Sequence, residues 1–382
     1  MSELQNHIRT LASVEETEAP LISCYFDMRK RPLGYLDQLE ARIRLLRKTL
    51  SPSLLGDFEQ AAARIAICLG EPIAPATQGL AVFARGGKQP FYLSLEFEAP
   101  LPNWVAVGST PNIYHLVELK DNYDRYVILL TTETSARIIG VNLGSVTTQL
   151  LQSRPDLRRR AGREWTKEHF QNHRRERTRQ FIHDQIRSLD QALSAGGYGH
   201  LILAGNPQMC AAVRKVLPRK LADMLIDSVP AGAGDRVSDI VSSTLLTFLE
   251  HEEEESQAVA EKLIRQIHTH GLAVAGARAS MDALKAAQAD FLIVLKSYDA
   301  GQGWECRECG KLEFDLPRPN KCPACGTSRI RDFDIRGELV RLAEQQQIGI
   351  EVVEHNDSLM SLGGIGCLLR YRAPGNYLYS AA

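Results

Sequence analysis

The chain has 382 residues, of which 44% are hydrophobic and 24% are charged, and its formal net charge is −1. This length suggests two or three domains of roughly 100–200 residues each, and the composition argues against a disordered chain. A chain so close to neutral is not a bulk binder of polyanions. Any contact with nucleic acid must therefore come from charge that is concentrated in one segment.

The first twenty residues do not resemble a secretion signal. They carry Glu15, Glu16 and Glu18 and no apolar core, and no run of about 18 apolar residues follows elsewhere. We therefore expect a cytoplasmic protein without a membrane partner.

Residues 1–122 are predicted to form an α+β domain. A short apolar strand at 21–27 precedes a helical stretch at 35–50, in which leucine and isoleucine recur every three or four residues. Two further strands, at 79–83 and 90–97, flank a glycine turn.

Residues 123–243 are predicted to form the middle domain. Two apolar runs, 126–130 and 136–141, stand on either side of a short polar segment, which is typical of a β-hairpin. A basic stretch and a long helix follow. A buried strand at 201–204 then ends in a Gly-Asn-Pro turn, at the kind of sheet edge that faces ligands in α/β proteins.

The basic stretch, residues 154–179, is the largest charge segregation in the chain. It holds nine arginines and one lysine against four acids, a net charge of +6. Arginine binds phosphate through a planar fork and stacks on bases, so we predict RNA contact here, with a solvated helix face as the alternative. Pro155 and Gly162 favour an irregular loop for its first part. The predicted RNA-binding residues are Arg158, Arg159, Arg160, Arg163, Trp165, Lys167, His169, Gln171, Arg174 and Arg175.

Residues 244–382 are predicted to form a C-terminal α/β domain. It opens with a helix from Thr244 that contains the acidic run 250–255, which we interpret as a solvated helix face, with a partner-binding patch as the alternative. The other elements alternate between helix and strand: 283–289, 291–295, 337–346 and 348–353.

Two close cysteine pairs predict a metal site. Twelve residues separate the pairs, and a glycine follows each pair. A two-residue gap lets a tight turn direct both sulfurs at one ion about 2.3 Å away. Because four thiolates close the coordination sphere, we predict one structural Zn²⁺ that folds a ribbon over residues 304–328. The predicted ligands are Cys306, Cys309, Cys322 and Cys325.

The ribbon interrupts the α/β domain between a strand and the next helix, which marks it as an insertion. A redox dithiol is the main alternative, but one pair would suffice for that chemistry, and neither pair lies in a thioredoxin-like context. Six cations would surround the ribbon with positive charge, which leaves docking to nucleic acid or protein open: Arg307, Lys311, Arg318, Lys321, Arg329 and Arg331.

Signatures of other chemistry are missing from the sequence. It contains no GxxxxGK loop, no GxGxxG after a strand and no HExxH, the usual signatures of nucleotide hydrolysis, dinucleotide binding and zincin proteolysis. Asp235 and Asp239 stand one helical turn apart, but a helix N-terminus favours acids without any metal.

The order of these parts resembles the archaeo-eukaryotic release factor and Pelota superfamily, in its bacterial branch. The most specific pieces are 201–207, 282–284 with 289–294, and 362–371. The resemblance implies an RNase H-like middle domain and a C-terminal ribosomal-protein-like α/β sandwich with an inserted zinc ribbon. It also implies a first domain that sits in the decoding centre of the ribosome.

Release factors of this superfamily carry a Gly-Gly-Gln tripeptide, and none occurs in this chain. Bacterial relatives often show Gly-Gly-Trp-Ser-Gln followed shortly by Phe-Gln. Residues 163–167, with Phe170 and Gln171, align with that run, so both glycines and the glutamine are replaced. We therefore do not expect peptide release by the familiar mechanism.

Relatives without the tripeptide include the Balon-like ribosome hibernation factors. The resemblance to them implies a non-catalytic factor in the A site of idle or stalled bacterial ribosomes, with ribosomal RNA and elongation factor Tu as partners and no DNA partner. A peptidyl-tRNA hydrolase or rescue factor, with Gln171 or His169 active in the same loop, is the alternative. A third hypothesis is a zinc-containing RNA-binding module or nuclease that acts off the ribosome.

Overall fold

The computed structural model describes residues 3–30, 35–123, 125–143, 145–153, 167–314 and 317–371. The chain divides into two compact units. The first unit combines Met1–Asn122 with Glu253–Ala382, and the second is Tyr123–Glu252. The division into three domains at 122 and 243 stays a prediction. Within the described ranges, no helix has the length and apolar character needed to cross a membrane.

The N-terminal part of the first unit is built on a four-stranded antiparallel sheet in the order β3-β2-β1-β4. The strands predicted at 21–27, 79–83 and 90–97 and the helix predicted from residue 35 are confirmed. A first helix that the sequence interpretation missed has Leu4, Ile8 and Leu11 buried along one face. The elements are α1 (Glu3–Ala12), β1 (Leu21–Asp27), α2 (Tyr35–Thr49), α3 (Pro52–Gly70), β2 (Gly79–Arg85), β3 (Phe91–Phe97), β4 (Trp104–Gly108) and α4 (Tyr114–Asn122).

The second unit is a five-stranded mixed sheet in the order β7-β6-β5-β8-β9. Strands β5, β6 and β7 are antiparallel neighbours, which confirms the predicted hairpin, and β8 and β9 join parallel to β5. The elements are β5 (Tyr126–Thr131), β6 (Ser135–Asn142), β7 (Ser145–Ser153), α5 (Lys167–Gly196), β8 (His200–Gly205), α6 (Pro207–Val216), α7 (Arg219–Ala222), β9 (Leu225–Pro230) and α8 (Val237–His268).

Helices cover both faces of this sheet. Helices α5 and α6 pack on one face, and the first part of α8 packs on the other. The prediction that α8 begins at Thr244 is wrong, since the helix begins at Val237 and its buried Ile240 and Phe248 belong to one apolar stripe.

The C-terminal part of the first unit has a four-stranded sheet in the order β10-β16-β11-β15 and a separate three-stranded sheet in the order β13-β12-β14. The small sheet lies in sequence between β11 and α10, which confirms the insertion. The elements are β10 (Ala273–Ala275), α9 (Ala277–Lys285), β11 (Ala289–Leu295), β12 (Gln302–Cys306), β13 (Leu312–Phe314), β14 (Ile330–Asp334), α10 (Ile335–Gln345), β15 (Gly349–Val353), α11 (Asp357–Ser361) and β16 (Ile365–Leu369).

The helix predicted at 283–289 is α9, which begins six residues earlier and ends at Lys285. Ala287 has a positive φ of 53°, a left-handed conformation that a helix cannot continue through. The strand β11 therefore begins as early as Ala289.

A charged cluster centred on the buried carboxylate of Glu118 joins the two parts of the first unit. On α4, Glu118 lies 2.8 Å from Nδ1 of His115 and 3.3 Å from Nζ of Lys296, and Lys296 also lies 2.7 Å from Glu354. Burial raises the pKa of Glu118. Hydrogen bonds and charge from His115 and Lys296 together lower it by more, so the net shift of the pKa is downward.

The lowered pKa of Glu118 predicts a pH-dependent contribution to stability. A carboxyl group with a lower pKa in the folded protein than in the unfolded chain stabilises the folded state. This stabilisation is fully present at a pH above the unfolded pKa, near 4.5, and is lost as the pH falls through the folded pKa. We expect Glu118→Gln to be less stable than the wild type at about pH 7, and the difference to shrink below about pH 4.5. Urea unfolding across this range measures it. A difference that does not change with pH would contradict the assignment.

Candidate functional site

The four predicted cysteine ligands converge in space. Their sulfurs all lie within 4.8 Å of one another. The sulfur of Cys306 lies 3.5 Å from that of Cys325, and the sulfurs of Cys309 and Cys322 are 3.6 Å apart. Four sulfurs placed tetrahedrally about 2.3 Å from one zinc ion would be about 3.8 Å apart. The cluster therefore fits a single tetrahedral metal ion.

The two cysteine pairs share one backbone design. The N–H of Gly310 donates to the carbonyl of Cys306 over 2.9 Å, and the N–H of Gly326 donates to the carbonyl of Cys322 over 2.8 Å. Both glycines have positive φ, 70° and 75°, which closes each turn. Although burial raises the pKa of the Cys322 thiol, N–H groups of Cys325 and Ala324 help to lower it to about 6. This sulfur forms a thiolate readily, whereas hydrogen bonds within the cluster help to raise the pKa of the Cys309 and Cys325 thiols, so one of the four thiols ionises first.

The apolar core of the ribbon is small among the described residues. Its hydrophobic cluster consists of Trp304 and Ile330 with two of the predicted ligands, Cys306 and Cys322, and the ring of Phe333 is buried beside that of Phe314. A core of this size is small for three strands, so a metal ion held by the four sulfurs would add to the stability of the ribbon.

Ion pairs attach the ribbon to the rest of its unit. The guanidinium of Arg331, on β14, contacts Glu305 of the ribbon, Glu338 of α10 at 2.9 Å and Glu16 of the N-terminal segment at 3.6 Å. Its side chain is only 11% exposed. Arg307 also reaches Glu16, at 2.9 Å. Burial raises the pKa of Glu338, but Arg341 and Arg331 together lower it by more. This buried carboxylate therefore stays charged.

Most cations predicted around the ribbon have a carboxylate partner. Arg318 pairs with Asp332 at 3.2 Å, and Lys311 with Glu313 at 3.5 Å. Arg329 pairs with Glu308, and Arg307 and Arg331 pair as described above. The positive charge around the ribbon is therefore largely neutralised within the first unit.

The predicted RNA-binding residues fall into two groups. Arg158, Arg159, Arg160, Arg163 and Trp165 lie outside the described residues.

The second group lies on α5: Lys167, His169, Gln171, Arg174 and Arg175. The side chain of Arg175 is exposed, as is that of Arg179 one turn further along the same helix face. RNA contact by this segment stays a prediction.

The two acids that stand one helical turn apart, Asp235 and Asp239, have local roles. Asp235 accepts a hydrogen bond from the N–H of Gly232, and Asp239 lies in the first turn of α8. They do not belong to either group in the described part of the chain that could hold a metal ion.

A comparison with known protein families finds a match in the middle of the chain. Residues 111–248 match the model of the bacterial archaeo-eukaryotic release factor family 10. No curated protein is a significant match.

Several solved structures are similar to the chain. They include Pelota of Archaeoglobus fulgidus (12% identity, 98% of this chain and 94% of that chain, TM-score 0.35). Dom34 of S. cerevisiae, a translation termination-like factor, matches at 12% identity over 78% of this chain and 80% of that chain, with a TM-score of 0.43. The archaeal termination factor aRF1 matches at 14% identity over 97% of each chain, with a TM-score of 0.26.

All three TM-scores are below 0.5, so the relation of the chain to a family depends on the match over residues 111–248 and not on these structures. Over residues 111–248, the chain is similar to the bacterial archaeo-eukaryotic release factor family 10.

Proposed function

We propose that this protein is a cytoplasmic, ribosome-binding translation factor that occupies the A site of idle or stalled bacterial ribosomes without cleaving peptidyl-tRNA. One observation carries the proposal: residues 111–248 match a release factor family, yet the chain has no Gly-Gly-Gln. Without that tripeptide, no glycine pair approaches the ester and no glutamine positions water. Blocking the A site during hibernation or stress needs only binding.

The middle unit supports an RNase H-like domain as the carrier of this function. Its strand order, with three antiparallel strands followed by two parallel ones, is the order expected of that fold. The run that replaces the tripeptide, residues 163–167, ends where α5 begins. The net charge of +6 in residues 154–179 would attract the phosphates of ribosomal RNA.

The C-terminal part supports a ribosomal-protein-like α/β sandwich with one structural Zn²⁺ held by Cys306, Cys309, Cys322 and Cys325. The four-sulfur geometry and the closed coordination sphere support zinc in a structural role. We include elongation factor Tu as the partner GTPase, on the strength of the resemblance to Balon-like factors.

Co-sedimentation with ribosomes tests the proposal directly. The purified protein is pelleted with vacant ribosomes and with ribosomes carrying peptidyl-tRNA, at two salt concentrations, and peptide release is followed in the same tubes. We expect binding to weaken at the higher salt, because phosphate contacts release counterions, and release to stay at background.

Charge reversal at Arg158, Arg159 and Arg160 should abolish pelleting. The matched control reverses three exposed cations elsewhere in the same unit, Arg214, Lys215 and Arg219, and should pellet as the wild type does. Release above background would indicate the hydrolase alternative, with His169 and Gln171 the first residues to replace. No pelleting at either salt concentration would exclude both ribosomal functions.

A further inference from the structure

A cavity of about 460 Å³ lies in the first unit, where the ribbon meets the N-terminal part. The N-terminal part contributes the segment before β1, the turn between α2 and α3, and the end of β4. The ribbon and residues 328–332 contribute four arginines: Arg307, Arg318, Arg329 and Arg331. Serine hydroxyls stand in the same lining, from Ser51, Ser53, Ser109 and Ser328. The cavity therefore combines cations with neutral hydrogen-bond donors.

The N-terminus of α3 also lines this cavity, through Ser51, Ser53 and Leu54. Helix α3 is 19 residues long, and the side chain of its N-cap residue, Ser51, makes no capping hydrogen bond. The N–H groups in the first turn of a helix carry partial positive charge and bind anions. The hydroxyls of Ser51 and Ser53 lie 3.1 Å apart at this end of the helix, close enough to serve one ligand. The helix end thus adds donors to those of the arginines.

The arginines at the cavity keep donors for a ligand. A guanidinium carries five N–H donors in a planar fork. Arg318 donates through one nitrogen to Asp332, and Arg329 through one nitrogen to Glu308. Their side chains are 49% and 68% exposed. The lining has four arginines against two acids, Glu18 and Asp332, a net charge of +2. The ion pairs therefore hold the guanidinium groups in place without using all of their donors.

We propose that this cavity is a binding site for a phosphate group. A phosphate accepts bidentate hydrogen bonds from a guanidinium, and it also accepts from serine hydroxyls and from the N–H groups of a helix N-terminus. The lining includes no aromatic side chain on which a base could stack, so recognition is limited to the phosphate. Free phosphate and the backbone of RNA both supply this group. The cavity belongs to the first unit and the basic stretch 154–179 to the second, so the site does not depend on the proposed function.

Two exposed arginines supply the first test. Replacing Arg318 and Arg329 with alanine removes two donors from the lining while leaving the buried Arg331 in place. The matched control replaces Arg370 and Arg44, which also pair with carboxylates, have side chains 51% and 70% exposed, and do not line the cavity. Loss of charge is equal in the two double variants, so only a local site distinguishes them.

Glu18 supplies a test in the opposite direction. It is exposed and lines the cavity, where its charge repels a phosphate. Glu18→Gln should therefore strengthen phosphate binding, which a purely structural role of the arginines does not predict. Glu15→Gln, an exposed acid outside the lining, is the control and should bind as the wild type does.

Titration of the ¹⁵N-labelled full chain with inorganic phosphate measures binding, with chloride at the same ionic strength as the reference. The amide resonances of Ser53 and Leu54 report on the cavity. We expect a wild-type dissociation constant on the order of 1 mM. The Arg318 and Arg329 double variant should bind at least about tenfold more weakly, since hydrogen bonds to a charged group are lost.

A short oligouridine RNA distinguishes the two sources of the phosphate group. If the RNA shifts the same two resonances and excess inorganic phosphate reverses the shift, the backbone of RNA occupies the cavity. If only inorganic phosphate shifts them, the site takes free phosphate.

The proposal fails if neither probe shifts these resonances beyond the chloride reference, if the control pair of arginines weakens binding as much as the cavity pair, or if Glu18→Gln does not strengthen it. Circular dichroism of each variant checks that the fold is intact.

Discussion

Replacing both Cys306 and Cys322 with serine should release the metal ion and lower the stability of the first unit by several kcal/mol, while the second unit stays folded. Metal binding at a structural site of this kind is coupled to folding. The hydrophobic cluster in the described part of the ribbon is small, with Trp304 and Ile330 around the buried ligands, so we expect its short strands to separate without the ion. Loss of the ribbon also removes Arg307 and Arg331 from Glu16.

Metal analysis and thermal unfolding together measure this effect. The wild type should contain about one mole of zinc per mole of protein, and the double variant none. Cys68→Ser, which changes a single buried cysteine far from the ribbon in sequence, should keep the full zinc content. Intact protein without zinc would show that the interpretation of the four cysteines is wrong.

Replacing Arg331 with methionine should lower the free energy of unfolding of the first unit by about 1.5–3 kcal/mol. The guanidinium contacts Glu305, which also pairs with Lys285, and Glu338, which also pairs with Arg341 and is only 3% exposed. Methionine fills much of the same volume but carries no charge. Removing one partner of a buried ion pair leaves the other carboxylate buried, with less of its charge compensated.

Urea unfolding at neutral pH gives the difference, and Arg329→Met is the matched control. Arg329 lies two residues earlier and pairs with Glu308, but its side chain is 68% exposed. A pair of this kind contributes about 0–1 kcal/mol, so the control should unfold close to the wild type. Equal effects at the two positions would contradict the view that burial makes Arg331 important.

The cluster of four cysteines could be predicted from the sequence because its geometry is local. A two-residue gap and a following glycine fix each pair of sulfurs, and the structure brings both pairs together. The main strands were also predictable, since apolar runs such as 201–204 are too short and too apolar to be surface elements. Helix α1 was missed because its apolar residues are few and lie among polar ones.

The role of Arg331 could not be predicted in this way. In the sequence it is one of six cations around the ribbon, with nothing to separate it from Arg329. Its partner Glu16 stands more than 300 residues earlier, and only the tertiary fold brings the two together. The same holds for Glu118, whose partner Lys296 belongs to the other part of the first unit.

The pairing of distant segments in the first unit has a consequence for how the chain is made. Gln5 of α1 donates to Glu344 of α10 over 2.9 Å, and the side chain of Gln345 donates to the carbonyl of Ala12 over 2.8 Å. Synthesis at about 5–20 residues per second leaves roughly 20–70 s between these segments. During that interval the apolar face of α1 lacks its final neighbour. Helix α1 thus reaches its final place late, only after α10 has been synthesised.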